Sequence, residues 1–275
     1  MKQLIRQSIE RMPAPLPLWV QNTFRYLRYP QVRRRERACR RILTRLERPG
    51  QVAQGPFLGM RYVSAAYHSQ VLPKLLGTYE CELFPALESL CRAGCDRIIN
   101  IGAAEGYYAV GLAMRNPAAK VVGFELNASA RYYLRRLARL NKVSERVQIF
   151  GACDRPGLSS ALAGSERPAV ICDCEGAEDE LLYPERIEPL RRAFVLVETH
   201  DGLETEAGIL EGITPRLQER FAATHAVDVI ASRARSRNDL PRDSALSPED
   251  AVEAMDEKRS WAQWLYMTPR AELSV

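Results

Sequence analysis

A glycine turn in this sequence is followed, about 20 residues later, by a carboxylate. Gly102 and Gly106 lie in a turn after the apolar segment Arg97–Ile101, and Glu125 closes the next apolar segment. In α/β folds, an acid at that position accepts hydrogen bonds from the hydroxyls of a ribose. The spacing therefore predicts a nucleoside site in which Glu125 holds the ribose.

The residues of the turn indicate which nucleoside is bound. A dinucleotide fold requires Gly-x-Gly-x-x-Gly, because the second glycine lets the backbone approach a pyrophosphate, whereas here Ala103 and Ala104 stand between the two glycines. No Gly-Lys-Ser/Thr sequence follows, which disfavours a P-loop. A ligand with a ribose and no phosphate remains, and S-adenosylmethionine (SAM) is the commonest of that kind. A βα unit that uses glycine only for close packing is the alternative interpretation.

Two later apolar runs end in residues that could take part in proton chemistry. Asp173 and Glu175 follow the first run, and Glu198 and His200 end the second. Three carboxylates at one edge repel each other unless a cation, a proton or a positively charged ligand compensates them. The sulfonium of SAM could do so, as could Mg²⁺ or Mn²⁺, although no metal site is predicted. The predicted catalytic residues are Asp173, Glu175, Glu198 and His200.

The role predicted for His200 is that of a general base. Asp201 follows it and could orient the ring, and an imidazole titrates near neutral pH. A histidine with a purely structural role is the alternative. Glu178 is predicted to be structural, because an acid in the first turn of a helix interacts favourably with the helix dipole.

The apolar pattern predicts the elements that must position these residues. Short apolar runs alternate with amphipathic stretches, which is typical of a parallel sheet wrapped in helices. The predicted strands are Arg97–Ile101, Lys120–Glu125, Arg146–Phe150, Ala169–Asp173, Phe194–Glu198, His225–Ala231 and Trp261–Met267. The predicted helices are Tyr79–Arg92, Glu105–Arg115, Ala128–Leu140, Ala177–Leu190, Ala207–Phe221 and Pro248–Lys258.

Ligands of open α/β sheets bind beyond the carboxyl ends of the strands, so polar residues at those ends should meet in one crevice. Asn100 and Glu125 end the first and second strands. After the third strand, the small residues Ala152 and Cys153 leave room for the flat adenine ring. The order of these residues along the chain therefore predicts one continuous nucleoside site.

The motifs resemble those of the FkbM-type SAM-dependent methyltransferases over about residues 79–200. That family's first motif reads roughly Asp-x-Gly-Ala-Asn-x-Gly-Tyr-Tyr, and its positions are occupied here by Asn100, Gly102, Ala103, Ala104, Gly106, Tyr107 and Tyr108. The segments CDCEGAEDELL and VLVETHD match the family's Ile-Asp-x-Glu-Gly-x-Glu block and Glu-x-His ending. Asn100 replaces the family's acid and Ala104 its asparagine, so the usual polar contacts to the methionine half of SAM do not carry over.

The resemblance implies a Rossmann-like class I methyltransferase fold, α/β, with a mostly parallel seven-stranded sheet and an antiparallel last strand. It implies O-methylation of a hydroxyl on a small molecule or glycan. The residues that it places against SAM, together with Glu125, Ala152 and Cys153, are Asn100, Gly102, Ala104, Gly106, Tyr107 and Asp173.

Two other functions fit these residues less well. A nucleic-acid methyltransferase is disfavoured, because Asp-Cys-Glu-Gly follows the fourth strand in place of the Asp/Asn-Pro-Pro-aromatic cluster that grips a flipped base. A non-catalytic module that binds SAM or a nucleoside at a membrane surface is disfavoured by the acid and histidine set, which simple binding does not need.

The composition predicts one catalytic domain with an appendage. The 275 residues are 46% hydrophobic and 27% charged, no apolar run is long enough to span a membrane, and a cytoplasmic location is expected. The seven cysteines include no Cys-x-x-Cys, so neither a disulfide framework nor a structural zinc site is indicated. The predicted domains are a basic helical arm, residues 1–50, and a methyltransferase domain, residues 51–275.

The basic arm carries most of the positive charge of the chain. Residues 1–50 hold 13 Lys and Arg against 3 acids, whereas the remainder holds 26 against 31. Such an arm could lie on an anionic membrane, bind nucleic acid or pack on the acidic domain, and nucleic acid is not the expected partner of this chain. The oligomeric state is not indicated. Near the other end, Arg233, Arg235, Arg237 and Asn238 in the polar segment before the last strand could meet an acceptor.

Overall fold

The computed structural model describes residues 50–270, apart from residues 64, 65, 68, 206, 207, 243, 245 and 259–261. The predicted basic arm therefore lies outside the described residues, except for Gly50. The strands are β1 Arg97–Ile101, β2 Lys120–Phe124, β3 Val147–Phe150, β4 Pro168–Cys172, β5 Phe194–Thr199, β6 Glu204–Thr205, β7 Gly208–Ile209, β8 His225–Ala231 and β9 Gln263–Pro269.

Seven of these strands form one sheet in the order β3-β2-β1-β4-β5-β9-β8. β1 pairs in parallel with β2 and β4, so that Asn100 lies between Gly123 and Ile171. β9 runs antiparallel to both of its neighbours, β5 and β8. The predicted fold class is confirmed: the sheet is mostly parallel, has seven strands, and its last strand in the chain is antiparallel. The short strands β6 and β7 form a separate hairpin.

Helices pack on both faces of the sheet because both faces are apolar. The helices are α1 Val71–Leu76, α2 Phe84–Arg92, α3 Tyr107–Arg115, α4 Ala128–Leu140, α5 Arg155–Leu162, α6 Glu178–Leu181, α7 Ile213–Phe221 and α8 Pro248–Met255. On one face, Ile98 and Val121 join a core with residues of α2 to α4 and α8. On the other face, Ile99 and Val122 join a core with residues of α5 to α7. Successive strand residues point to opposite faces, which explains the continuous apolar runs of the central strands.

The helix predicted over residues 177–190 is wrong. The chain forms the single turn Glu178–Leu181 and then a 3₁₀ turn at Glu188–Arg192. Pro184 and Pro189 interrupt the segment because proline lacks the N–H that an α-helix requires. The shorter helix does not change the predicted site, because Asp173 and Glu175 after β4 still lie at the edge of the sheet.

Other boundaries also differ from the sequence prediction. The helix predicted from residue 207 begins only at Ile213, after the β6–β7 hairpin, and the helix predicted from residue 79 begins with a 3₁₀ turn at Cys81–Leu83. Two described helices, α1 and α5, were not predicted. None of the helices that the structure describes is both long and apolar enough to cross a membrane.

Candidate functional site

A cleft of about 870 Å³ lies at the carboxyl ends of the parallel strands. Each of β1 to β5 contributes residues from its end or from the loop that follows. The lining includes most of the residues predicted from the sequence, namely Gly102, Ala104, Tyr107, Glu125, Ala152, Cys153, Asp173, Glu175, Glu198 and His200. The predicted nucleoside residues and the predicted catalytic residues therefore share one cleft.

Gly102 brings the turn after β1 against the end of β4. Its φ is +72°, and a Cβ built at this position would lie 1.6 Å from the carbonyl oxygen of Asp173. No residue with a side chain fits between these two backbones. Glycine at residue 102 thus allows the turn after β1 to lie directly against the Asp173 loop.

The Glu125 carboxylate is held by backbone amides on both sides. Ala104 N donates to one oxygen at 2.8 Å, and Asn127 N donates to the other at 2.7 Å. Ala104 adopts a φ of +47°, which turns its amide toward Glu125. Each carboxylate oxygen retains a second lone pair, so Glu125 can still accept hydrogen bonds from two hydroxyl groups.

Small residues line the end of the cleft beyond β3. Gly151, Ala152 and Cys153 face the cleft, and burial raises the pKa of the Cys153 thiol to about 12. The thiol is therefore neutral at physiological pH and acts as an apolar wall. This end of the cleft can accept a flat apolar group such as a purine ring.

At the opposite end of the cleft, His200 lies among carboxylates. Its Nε2 atom is 3.6 Å from Asp173 Oδ1 and 3.6 Å from Glu175 Oε2. Glu198 is nearly buried on β5, lines the same cleft, and its charge also acts on the imidazole. Glu175 has a φ of +58°, a conformation that residues with side chains rarely adopt and that is frequent at functional sites.

The residue that orients His200 is Glu178, whose role the sequence analysis did not anticipate. His200 Nδ1 lies 2.8 Å from Glu178 Oε1, and the Glu178 side chain is fully buried. The same oxygen accepts from the backbone amides of Cys174 and Gly176. Asp201, which was expected to orient His200, instead accepts from Ile213 N and Thr214 N at the start of α7.

The surrounding acids change the protonation of His200. Burial alone would lower the pKa of the imidazole, but the hydrogen bond and charge of Glu178, with the charges of Asp173 and Glu198, raise it to about 9. The pKa of Glu178 is lowered although burial opposes its ionisation, because His200 stabilises the carboxylate. His200 is therefore an imidazolium at neutral pH, and its proton offsets part of the acidic charge.

A divalent ion could provide the same compensation. Ligand atoms of Asp173, Glu175 and His200 lie within 4.8 Å of one another, so one ion could reach all three. Glu198 does not belong to this group of three. Either a proton on His200 or a hard cation could therefore balance the negative charge of these acids.

A second buried charged group adjoins the cleft and was not predicted. Glu105, in the turn after β1, is ion-paired with Lys74 and accepts hydrogen bonds from Tyr62 Oη and the backbone amide of Tyr67. Burial opposes ionisation of Glu105, but Lys74 and these donors lower the pKa of its carboxyl group overall. Lys74 also lines the cleft. Its segment carries no glycine or acid motif, so the sequence offered no signal for it.

Some predicted site residues do not line the cleft. Asn100 is buried within β1, and its Oδ1 atom accepts no hydrogen bond from the described residues. Gly106, with a φ of +102°, allows the start of α3 to pack against Leu134.

The arginines of the polar segment before β9 are used in ion pairs. Arg233 is ion-paired with Asp239, and Arg235 with Glu82 and Glu257. These two arginines therefore stabilise the polar segment, and Arg237 and Asn238 also lie outside the cleft lining.

No protein-family model and no curated protein sequence matches this chain. Solved structures with a similar fold include a provisionally assigned O-methyltransferase from Klebsiella pneumoniae, which is 14% identical over 92% of this chain and 96% of its own, with a TM-score of 0.44. An O-methyltransferase from Bacillus cereus in complex with SAH is 14% identical over 66% of this chain and 78% of its own, with a TM-score of 0.42. The m1A22 tRNA methyltransferase TrmK of B. subtilis is 7% identical over 66% of this chain, which spans 64% of TrmK, with a TM-score of 0.41.

Proposed function

We propose that this protein is a SAM-dependent methyltransferase of the FkbM type that methylates a hydroxyl group on a small molecule or glycan. One observation carries the proposal. A single cleft contains a backbone-anchored carboxylate, Glu125, at the tip of β2 and an imidazole held by a buried acid, His200 with Glu178, at the tip of β5. The first suits a ribose, and the second suits removal of a proton from an alcohol.

The residues of the cleft fit SAM in chemistry and in order along the sheet edge. Cys153 and its small neighbours follow β3, Glu125 follows β2, and the Gly102 turn follows β1. SAM aligned with this order would have its ribose hydroxyls at Glu125 and its sulfur beside Gly102 and Asp173. When bound, SAM supplies an electrophilic methyl group on a sulfonium. The side chains supply orientation, exclusion of water and proton transfer.

His200 is proposed to accept the proton of the acceptor hydroxyl at Nε2. Glu178 holds Nδ1, so that in the neutral ring Nδ1 carries the hydrogen and Nε2 has the free lone pair. A cation bound near the imidazolium lowers its pKa. We expect His200 to lose its proton when a cationic ligand binds in the cleft, and the neutral imidazole can then act as a base.

The acceptor is proposed to be a neutral or cationic compound. The part of the cleft around His200 is the proposed acceptor end. Its carboxylates are those of Asp173, Glu175 and Glu198, and Glu204 of the β6–β7 hairpin also lines the cleft. These charges disfavour phosphate-rich acceptors, so nucleic acid is not the proposed substrate. We also propose that residues 51–275 form the catalytic domain of a cytoplasmic protein and that the basic arm anchors it to anionic membrane surfaces.

Calorimetry and a transfer assay test this function. The purified protein should bind SAM at micromolar level, and extracts of hydroxylated metabolites or glycans should acquire label from methyl-labelled SAM in its presence. His200→Ala should bind SAM but transfer label more slowly, by about 10²-fold or more. A protein that binds neither SAM nor its demethylated product, S-adenosylhomocysteine (SAH), contradicts the proposal. Binding of SAM without transfer to any extract favours the non-catalytic module.

A further inference from the structure

Lys74 carries a buried ammonium group on the wall of the cleft. Its side chain is only 3% exposed, and Nζ donates to Ser69 Oγ at 2.8 Å and to Glu105. The ammonium also lies 4.8 Å from the centroid of the Tyr79 ring and 5.4 Å from that of Tyr107. An ammonium has three N–H donors, and the described residues account for two of them.

The position of Lys74 along the sheet edge is set by its ion pair. Glu105 belongs to the turn between β1 and α3, so its partner Lys74 lies beside that turn, with Nζ 5.4 Å from the centroid of the Tyr107 ring. Glu125 lies one strand away in one direction and the His200 cluster lies in the other. A nucleoside whose ribose is at Glu125 would direct its 5′ substituent toward this central region.

Charge distinguishes Lys74 from the rest of the lining. Among the described residues of the cleft, Lys74 and Lys258 carry the ammonium groups, while the acceptor end is acidic. Lys258 is largely exposed and pairs with Asp256. An anionic group in the cleft is therefore repelled from Asp173 and Glu175. Glu105 balances the charge of Lys74, and the third N–H of the ammonium can still donate a charge-assisted hydrogen bond to such a group.

We propose that Lys74 binds the carboxylate of the methionyl group of SAM. The inference depends on the proposed function and extends it, because it names the residue that replaces the missing family contacts at Asn100 and Ala104. Ser69 Oγ and Glu105 accept from the ammonium, and Tyr62 Oη and the Tyr67 amide in turn hold Glu105. The remaining N–H of Lys74 serves the ligand carboxylate. Lys74 is thus a cofactor-binding residue on the segment that precedes the first strand of the sheet.

The test compares SAH with its carboxamide, which has a neutral amide where SAH has the carboxylate. The wild type should bind SAH about 10- to 100-fold more tightly than the carboxamide, the range expected for a charge-assisted hydrogen bond. In Lys74→Met this preference should disappear, because SAH binding weakens and carboxamide binding does not. Lys258→Met is the matched control and should keep the full preference.

Distinct outcomes separate the two proposals. If the wild type binds neither compound, the proposed function fails, and the role of Lys74 with it. If the wild type binds both compounds equally, or if Lys74→Met retains the preference, Lys74 does not bind the carboxylate although the function stands. Lys74→Met leaves Glu105 buried without its partner, so Lys74→Met/Glu105→Gln provides a neutral pair of similar size. If a folded double variant loses affinity for SAH and for the carboxamide to the same extent, Lys74 has only a structural role.

Discussion

His200 Nδ1 lies 2.8 Å from Oε1 of Glu178, an acid that is fully buried beneath the acceptor end of the cleft. The pair joins the helical turn after β4 to the end of β5. Its effect is twofold: it fixes which ring nitrogen faces the cleft, and it raises the affinity of the ring for a proton.

Glu178→Gln should lower the pKa of His200. The carboxylate of Glu178 contributes the largest upward influence on a pKa that stands at about 9 against an ordinary value of 6.5, and a neutral amide removes that charge. We expect the imidazole to titrate at least one pH unit lower in the variant, measured by NMR. Glu204→Gln, a change of an exposed cleft acid, should leave this pKa close to that of the wild type. An unchanged pKa in Glu178→Gln would show that the other acids, Asp173 and Glu198, dominate.

Binding of SAM should lower the pKa of His200 more than binding of SAH does. The two ligands differ by a methyl group and by the positive charge on sulfur, so the comparison isolates the charge. NMR titration of the saturated protein with each ligand measures both values. Equal pKa values in the two complexes would place the sulfur far from His200 and would argue against its role as the base.

His200→Ala should reduce turnover on the true acceptor by about 10²-fold or more while SAM affinity stays nearly unchanged. The expectation follows from the position of His200 at the acceptor end, away from Glu125. Steady-state kinetics and calorimetry on the same variant supply the two readouts.

Chelators should leave wild-type turnover intact if a proton on His200 balances the charge of the neighbouring acids. Inhibition by chelators, with loss of metal in Asp173→Asn, would identify a divalent ion instead.

Glu125→Ala should weaken SAM binding by about 1.5–3 kcal/mol, the scale of charge-assisted hydrogen bonds. Both carboxylate oxygens are fixed by backbone amides and can accept from ribose hydroxyls. Calorimetry with SAM and with its 2′-deoxy analogue checks the assignment, since the variant should no longer discriminate between them. Affinity equal to that of the wild type would remove Glu125 from the site.

Gly102→Ala should destabilise the protein far more than Gly94→Ala. The two glycines have similar φ angles, +72° and +67°, so an added methyl group strains both backbones by about 1–2 kcal/mol. At residue 94 the new Cβ meets nothing within 4 Å, whereas at residue 102 it meets the Asp173 carbonyl oxygen. Chemical denaturation gives both free energies of unfolding. Similar losses would mean that the Asp173 loop moves aside at little cost.

The sequence was most informative about the sheet. The strands from Arg97 to Thr199 were predicted to within one residue at each end, because buried parallel strands are continuous apolar runs. The last strand was displaced by two residues, since the segment before it is polar and its pattern is weaker. The convergence of Asp173, Glu175 and His200 was also predictable, because the carboxyl ends of parallel strands meet at one edge.

The partners within the site were harder to predict. Glu178 looked like an ordinary helix-start acid, and only the packing of the turn after β4 under β5 shows that it holds His200. Lys74 and Glu105 are 31 residues apart and share no motif, so their ion pair is a property of the tertiary structure. In contrast, α5 had a readable signal, since Asp154 caps the helix by accepting from Gly157 N and Pro156 occupies its first turn.

The order of strands has a consequence for synthesis of the chain. β9 lies between β5 and β8, yet it follows both in the sequence, so neither strand can gain this neighbour until β9 leaves the ribosome. Roughly 60 residues separate β5 from β9, an interval of about 3–12 s at ordinary rates of translation. During that time the unpaired backbone of β5 stays exposed on the nascent chain, and this edge is where misassembly would begin.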